Sequence, residues 1–500
     1  MNIAKAKEQI RNTIKAYLTK DDLGNYVIPV EKQRPVLLIG PPGIGKTAIM
    51  EQLASELGIG LISYSMTHHT RQSAIGLPFI SHKRYGGREY DVTEYTMSEI
   101  IASVYDLMED TGVKEGILFL DEINCVSETL SPLMLQFLQY KVFGGHRIPD
   151  GWVIVTAGNP PEYNESAREF DAVTLDRLKR ITVEPDFEAW KEYALGAGMH
   201  PAVLSFLANK RNCFYSVETT VDGRSIVTPR GWEDLSRILL LYEQNGLEAD
   251  EDLMVQYLQN EKTAKEFSVY YDLYNKYRTE YPVEDILNGS FDEEAVKRAS
   301  EAGLDEVYTL TGLLIDRAMT DVRARLGEFE VLESALSCLK TVRADMESGA
   351  SVSAGIKKTA EKLSKAREAG VKSHTLDRGE SDRVLRTISL LEEIGAGIQD
   401  GADTETALGA IRERFSAKTD EHKERAEQTK EGLNNLFRFA DRCWGEGREM
   451  TMIATELTAD PAGAVFIGRY GCEEYFEHNK ELLYSEREAE IDRKLEELDI

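Results

Sequence analysis

Residues 35–53 read Pro35-Val36-Leu37-Leu38-Ile39-Gly40-Pro41-Pro42-Gly43-Ile44-Gly45-Lys46-Thr47-Ala48-Ile49-Met50-Glu51-Gln52-Leu53. A short aliphatic run, a glycine-rich turn ending in Lys-Thr, and a helical pattern follow one another without a break. A phosphate-binding loop requires that order. Its glycines let successive backbone N–H groups converge on phosphate oxygens, and the start of the next helix adds partial positive charge. In that arrangement Lys46 reaches the β- and γ-phosphates and the Thr47 hydroxyl ligates Mg²⁺. The stretch Gly40 to Thr47 therefore reads as a nucleoside-triphosphate site.

Working outward, similar apolar runs recur at Gly60-Leu61-Ile62-Ser63-Tyr64, Gly116-Ile117-Leu118-Phe119-Leu120 and Trp152-Val153-Ile154-Val155-Thr156, separated by helical patterns. Continuous apolar strands between helices predict a parallel sheet covered on both faces, an α/β class. Two of these runs end in polar residues, at the strand ends where such sheets hold ligands. The first ends in Asp121-Glu122, where Asp121 suits the Mg²⁺ shell and Glu122 suits polarising a water. The second ends in Asn159-Pro160, whose amide is placed to orient water beside a γ-phosphate.

The remaining sequence sets the organisation. Thirteen of the 14 prolines lie between Pro29 and Pro282. An α/β core over 1–185, with an insert around 75–110, gives way to a helical lid over 186–288. That lid is interrupted near Thr219 to Pro229 by a loop or small hairpin. Residues 289–500 are proline-poor, with apolar positions at helical spacing such as Val384, Leu385, Ile388, Leu391 and Ile394, and read as a helical domain suited to a partner-binding arm. Trp190, Trp232, Tyr270, Tyr271 and the Phe437–Phe439 stretch read as packing. The charged segment Glu486 to Asp499 reads as a solvated terminal helix or a partner helix.

Composition excludes several classes. The 500 residues are 42% hydrophobic and 29% charged, with 59 basic against 87 acidic side chains and a net charge of −28. Residues 291–500 alone hold 30 basic and 45 acidic, so the acidity is spread along the chain. Phosphate backbones and anionic membranes repel such a surface, which disfavours direct nucleic-acid binding. No apolar run approaches the length of a spanning helix, and no secretion signal opens the chain. Five scattered cysteines without a C-x-x-C pair fit reduced thiols in a cytoplasm. Adjacent His68-His69 share no helical face and do not read as a metal site.

The order of phosphate loop, Asp-Glu strand, Asn-ended strand, Leu175-Asp176-Arg177-Leu178 and Thr228-Pro229-Arg230 resembles the MoxR-like group of AAA+ ATPases. That group is similar to the magnesium-chelatase ATPase subunit and to dynein-related ATPase modules. The resemblance spans roughly residues 1–285, and the segment Phe137 to Trp152 is similar to the group's hairpin before sensor 1. It implies ATP and Mg²⁺ as ligands, Gly40, Pro41, Pro42, Gly43, Ile44, Gly45, Lys46 and Thr47 as Walker A, and Asp121 and Glu122 as Walker B. It further implies Asn159 as sensor 1, Arg230 as sensor 2, and Arg177 as an arginine finger reaching a neighbouring subunit, with Arg168 and Arg180 as nearby alternatives. Leu178 stands where the group usually has Phe. The 75 residues from Lys46 to Asp121 leave room for an insert, turning at Tyr85-Gly86-Gly87-Arg88, which in this clade faces the pore and acts on partners. The implied protein is a hexameric, chaperone-like ATPase that remodels a client together with a separate von Willebrand factor A domain partner. Two other expectations are a motor subunit of a restriction or defence complex and an ATP-gated scaffold without turnover.

Overall fold

In the computed structural model the aliphatic run ahead of the phosphate-loop signature is strand β1 (Val36–Ile39), near the middle of a five-stranded sheet. The structure describes residues 1–68, 74–164, 166–220, 223–398, 404–445 and 447–478. The strands in chain order are β1, β2 (Gly60–Ser65), β3 (Pro78–Tyr85), β4 (Arg88–Tyr95), β5 (Gly116–Asp121), β6 (Val142–Phe143), β7 (His146–Arg147), β8 (Trp152–Gly158), β9 (Lys179–Thr182), β10 (Ser216–Thr220) and β11 (Gly223–Val227). The main sheet has the order β2-β5-β8-β1-β9, and every neighbouring pair in it is parallel. The four runs singled out in the sequence are four of its five strands. Burial on both faces explains why the inner strands are apolar without alternation: Ile117 to Leu120 are fully buried, as are nearly all of β8.

Two compact units divide the chain. The first comprises Met1–Trp190, Thr228–Arg230 and Glu361–Leu385. One face of its sheet packs on the helices Glu99–Thr111 and Ser131–Tyr140 through Leu118, Leu120, Trp152, Ile101, Val104, Phe137 and their neighbours. The helix Ala48–Leu57 buries Ile49, Met50, Leu53 and Ala54, and ends on Gly58 in the left-handed region. Strand β5 approaches β2 and β8 closely around the Trp152 indole. A Cβ on Gly116 would lie 2.6 Å from that ring and 2.8 Å from the Gly60 carbonyl, so only glycine fits there. Within the 75–110 segment, β3 and β4 form an antiparallel hairpin turning at Gly86 and Gly87, both with positive φ, and then the helix Glu99–Thr111. The short β6–β7 hairpin lies in the segment before β8, turning at Gly144-Gly145. The segment Glu361–Leu385 bonds to the rest of this unit through Glu380, which accepts from Ser55 Oγ at 2.9 Å, and through the exposed Lys372–Asp110 pair.

The described residues of the second unit, which takes in Lys191–Val227, Gly231–Ala360 and the chain from Arg386 onward, are helical apart from the β10–β11 hairpin. That hairpin falls where the helical pattern is interrupted in sequence. Phe206, Trp232 and Phe267 form an aromatic cluster with centroids 5.2–5.7 Å apart, Phe267 edge-on to the other two, and the buried Trp232 indole donates to the Cys213 carbonyl at 3.0 Å. The 44-residue helix Leu304–Glu347 and the 41-residue helix Thr404–Trp444 pack through Leu310, Leu314, Val322, Leu433, Leu436 and Phe437. Tyr271 and Phe439 are buried as their patterns require, whereas Leu385, at a helical-stripe position of the first unit, is exposed. The segment Glu486 to Asp499 and His69 lie outside the described residues. Among the described residues no helix is long and apolar enough to cross a membrane, no group of His, Cys, Asp or Glu is arranged to hold a metal, and none of the five cysteines is in a disulfide.

Candidate nucleotide site

Three strand ends of the parallel sheet build the site. Strand β1 leads into the loop Gly40–Thr47, β5 ends at Asp121, and β8 delivers Asn159. The pairing of β8 with both β1 and β5 puts these termini side by side.

Gly43 and Gly45 have φ of +74° and +92°, which turn the loop's N–H groups inward at little steric cost. A Cβ on Gly45 would meet nothing within 4 Å, so the hollow of the loop is open there. A Cβ on Gly43 would lie 2.7 Å from the Thr228 side chain, and the Arg230 N–H donates to the Gly43 carbonyl at 3.2 Å. The Thr-Pro-Arg motif therefore backs the loop directly.

Lys46 is buried, and its ammonium donates to the carbonyls of Gly40 at 2.8 Å and Pro41 at 2.6 Å and to Asn159 Oδ1 at 2.8 Å. Burial pushes it down to about 8; Asp121 and Glu122 pull it back up, and Arg230 adds to the depression. The Thr47 hydroxyl donates to Asp121 Oδ2 at 3.0 Å. These groups suit a magnesium nucleotide. The hydroxyl and carboxylate that would hold Mg²⁺ are adjacent, and the three acceptors on Lys46 are weak partners that phosphate oxygens would replace.

Glu122 sits in the left-handed region at φ 55°, a conformation costing about 1 kcal/mol for a non-glycine residue. Its backbone N–H donates to Asp121 Oδ1 at 2.8 Å, which helps hold the bend. Its carboxylate accepts from Ser65 Oγ at 2.7 Å and from Thr67 Oγ1 at 3.1 Å. Neither hydroxyl stands out in the sequence. Ser65 is the register partner of Asp121, so only the β2–β5 pairing brings it to Glu122. Asn124, in the turn Ile123–Cys125 that follows, is also unassigned by sequence and is buried against the end of β8.

The structure gathers Lys46, Thr47, Asp121, Glu122 and Asn159, and places the Arg230 charge within reach of Lys46. It does not bring Arg177 into that group. Arg177 is exposed at the end of the helix Ala172–Asp176; hydrogen bonds from Thr174, and after them the Arg177 charge, hold the Asp171 carboxyl below its ordinary range. Arg168 pairs with Glu128 at 3.0 Å and Arg180 is exposed on β9, so neither joins the group.

The family comparison agrees with this geometry. No curated protein matches the chain. Among solved structures, a RuvB point mutant from Thermotoga maritima is similar at 17% identity over 52% of this chain and 69% of that chain, with a TM-score of 0.28. Residues 36–172 match the family model described as "ATPase family associated with various cellular activities (AAA)". The matched span holds the phosphate loop, Asp121, Glu122 and Asn159 on a parallel sheet flanked by helices, with helical segments following: residues 36–172 are an AAA ATPase domain.

Proposed function

We propose that the chain hydrolyses ATP as a hexameric ring of like subunits, and that turnover drives remodelling or assembly of a protein client together with a separate von Willebrand factor A domain partner. The observation that carries the reading is the convergence of Lys46, Thr47, Asp121, Glu122 and Asn159 at three adjacent strand ends. Each has a distinct task. The loop amides and Lys46 bind the phosphates, while Thr47 and Asp121 would hold Mg²⁺, which when bound neutralises charge on the β- and γ-phosphates. Glu122 takes the proton of the attacking water, and Asn159 aims that water. Arg230 supports the γ-phosphate in cis. Arg177, exposed and outside this group, is free to complete the site of a neighbouring copy, which would make hydrolysis depend on assembly.

Subunit mixing tests this. Glu122→Gln and Arg177→Ala chains, each inactive alone, should recover hydrolysis when mixed, because some interfaces then pair an intact Glu122 with an intact Arg177. No recovery, or wild-type turnover that does not rise with protein concentration, refutes the shared site. ATP-dependent assembly without phosphate release would support the scaffold instead. For the client, Glu122→Gln retains ATP and Lys46→Ala does not, so a protein captured only by the former supports nucleotide-gated remodelling.

A further inference from the structure

Asn124 lies two residues beyond Glu122 and is 5% exposed. Its side-chain amide Nδ2 donates to the Asn159 carbonyl at 2.7 Å and, at 3.5 Å, to the Arg168 carbonyl. Its own backbone carbonyl accepts from the Arg168 N–H at 2.9 Å. One residue thus holds both the start and the return of the segment that leaves β8. On its other side, a Cβ added to Gly158 would lie 2.3 Å from Asn124 Oδ1, 2.8 Å from its Cγ and 3.4 Å from its Nδ2, and these are the three nearest atoms. The Gly158 carbonyl in turn accepts from the Gly40 N–H, the first amide of the phosphate loop, at 3.3 Å.

We infer that Asn124 is a positioning residue for hydrolysis: it sets the Asn159 backbone, and through it the water-aiming amide, in register with Glu122 on the same turn. The inference rests on the ATPase reading above. The chemistry demands such a link. Glu122 comes from β5 and Asn159 from β8, yet both must address one water, and a misplacement of about 1 Å costs on the order of 100-fold in rate. Paired main-chain bonds tie β5 to β8 only as far as Leu120 and Thr156. Beyond them the Asn124 amide spans the gap. Glycine at 158 is then required not for its backbone, whose φ is not positive, but because any side chain would displace Asn124.

The test compares wild type, Glu122→Gln, Asn124→Ala, Asn124→Asp, Gly158→Ala and the Asn124→Ala/Gly158→Ala double variant as full-length chains. The readouts are kcat, KM for ATP, and the Kd of a fluorescent ATP analogue. Asn124→Ala should lower kcat about 10- to 100-fold while KM and Kd stay within about twofold. Asn124→Asp keeps the shape but loses the donor, and should behave the same. Gly158→Ala should reproduce the defect, and the double variant should be no worse than Asn124→Ala, because the only atoms in the way of the new methyl are gone. Multiplicative losses in the double variant, a normal kcat in Gly158→Ala, or parallel losses of kcat and nucleotide affinity would overturn the inference. If Asn124→Ala does not fold, Asn124→Asp and Gly158→Ala decide by the same criteria. Should wild type hydrolyse and Glu122→Gln not, while the Asn124 variants match wild type, only this inference fails. Should wild type show no turnover, the ATPase reading fails and takes the inference with it.

Discussion

Proton concentration perturbs this site without altering a heavy atom, because Lys46 is the cation we propose faces the phosphates, and burial brings it down to about 8. In the nucleotide-free chain its ammonium is then about nine-tenths protonated at pH 7, half at pH 8 and about one-tenth at pH 9. A triphosphate binds the charged form and, by supplying negative charge, raises that group back toward its ordinary value. Affinity should therefore fall about tenfold between pH 7 and pH 9, and binding at pH 8 should take up about half a proton per site. The assay is a titration with a fluorescent ATP analogue across pH 7.5–9.5, paired with calorimetry in two buffers of different ionisation heat. Lys46→Arg, which stays charged throughout, is the control and should bind more weakly but with little slope. A flat wild-type profile, or the same slope in Lys46→Arg, would refute the assignment of Lys46 as a buried phosphate-facing cation. Stability moves oppositely: between about pH 8 and the ordinary lysine value the unfolded chain holds the proton more tightly. The nucleotide-free protein should therefore gain stability as pH rises through that window.

Gly43→Ala places a methyl 2.7 Å from Thr228 at a φ of +74°, so nucleotide affinity should drop at least tenfold with helix content by circular dichroism unchanged. Gly116→Ala drives a methyl into the Trp152 ring at 2.6 Å and should cost about 1–3 kcal/mol of stability, read from the urea midpoint. Trp232→Ala removes the centre of an aromatic cluster in the second unit and should cost about 3–5 kcal/mol; equal midpoints for wild type and variant would refute that role.

The nucleotide loop was legible because its determinants are local: an aliphatic strand, two glycines at positive φ, Lys-Thr, and a helix start all lie within twenty residues. The Asp121-Glu122 and Asn159 ends were legible for a related reason, since a buried strand that stops on a polar group advertises itself. Ser65 and Thr67 were not, because a hydroxyl acquires meaning only through the parallel register that sets Ser65 beside Asp121, and strand order is invisible in a linear pattern. Asn124 stood in plain view but looked like any turn residue until Gly158 and Arg168 came beside it. The Gly86-Gly87 turn was readable from residue chemistry alone. The grouping of Glu361–Leu385 with the sheet was not, because two polar bonds to Ser55 and Asp110 leave no periodic trace.

The composition of the first unit has a bearing on how the chain can be dissected. Its sheet is contiguous, yet Thr228 and Arg230, which back the phosphate loop, arrive from 38 or more residues past Trp190, and Glu361–Leu385 arrives later still. A fragment stopped at the first boundary would keep Lys46, Thr47, Asp121 and Glu122 and lose the wall behind Gly43. The proposed nucleotide site is thus not carried by one contiguous segment that can be cut out and transplanted. Recombination between relatives would need to exchange residues through Arg230 together, or leave a loop with nothing to lean on.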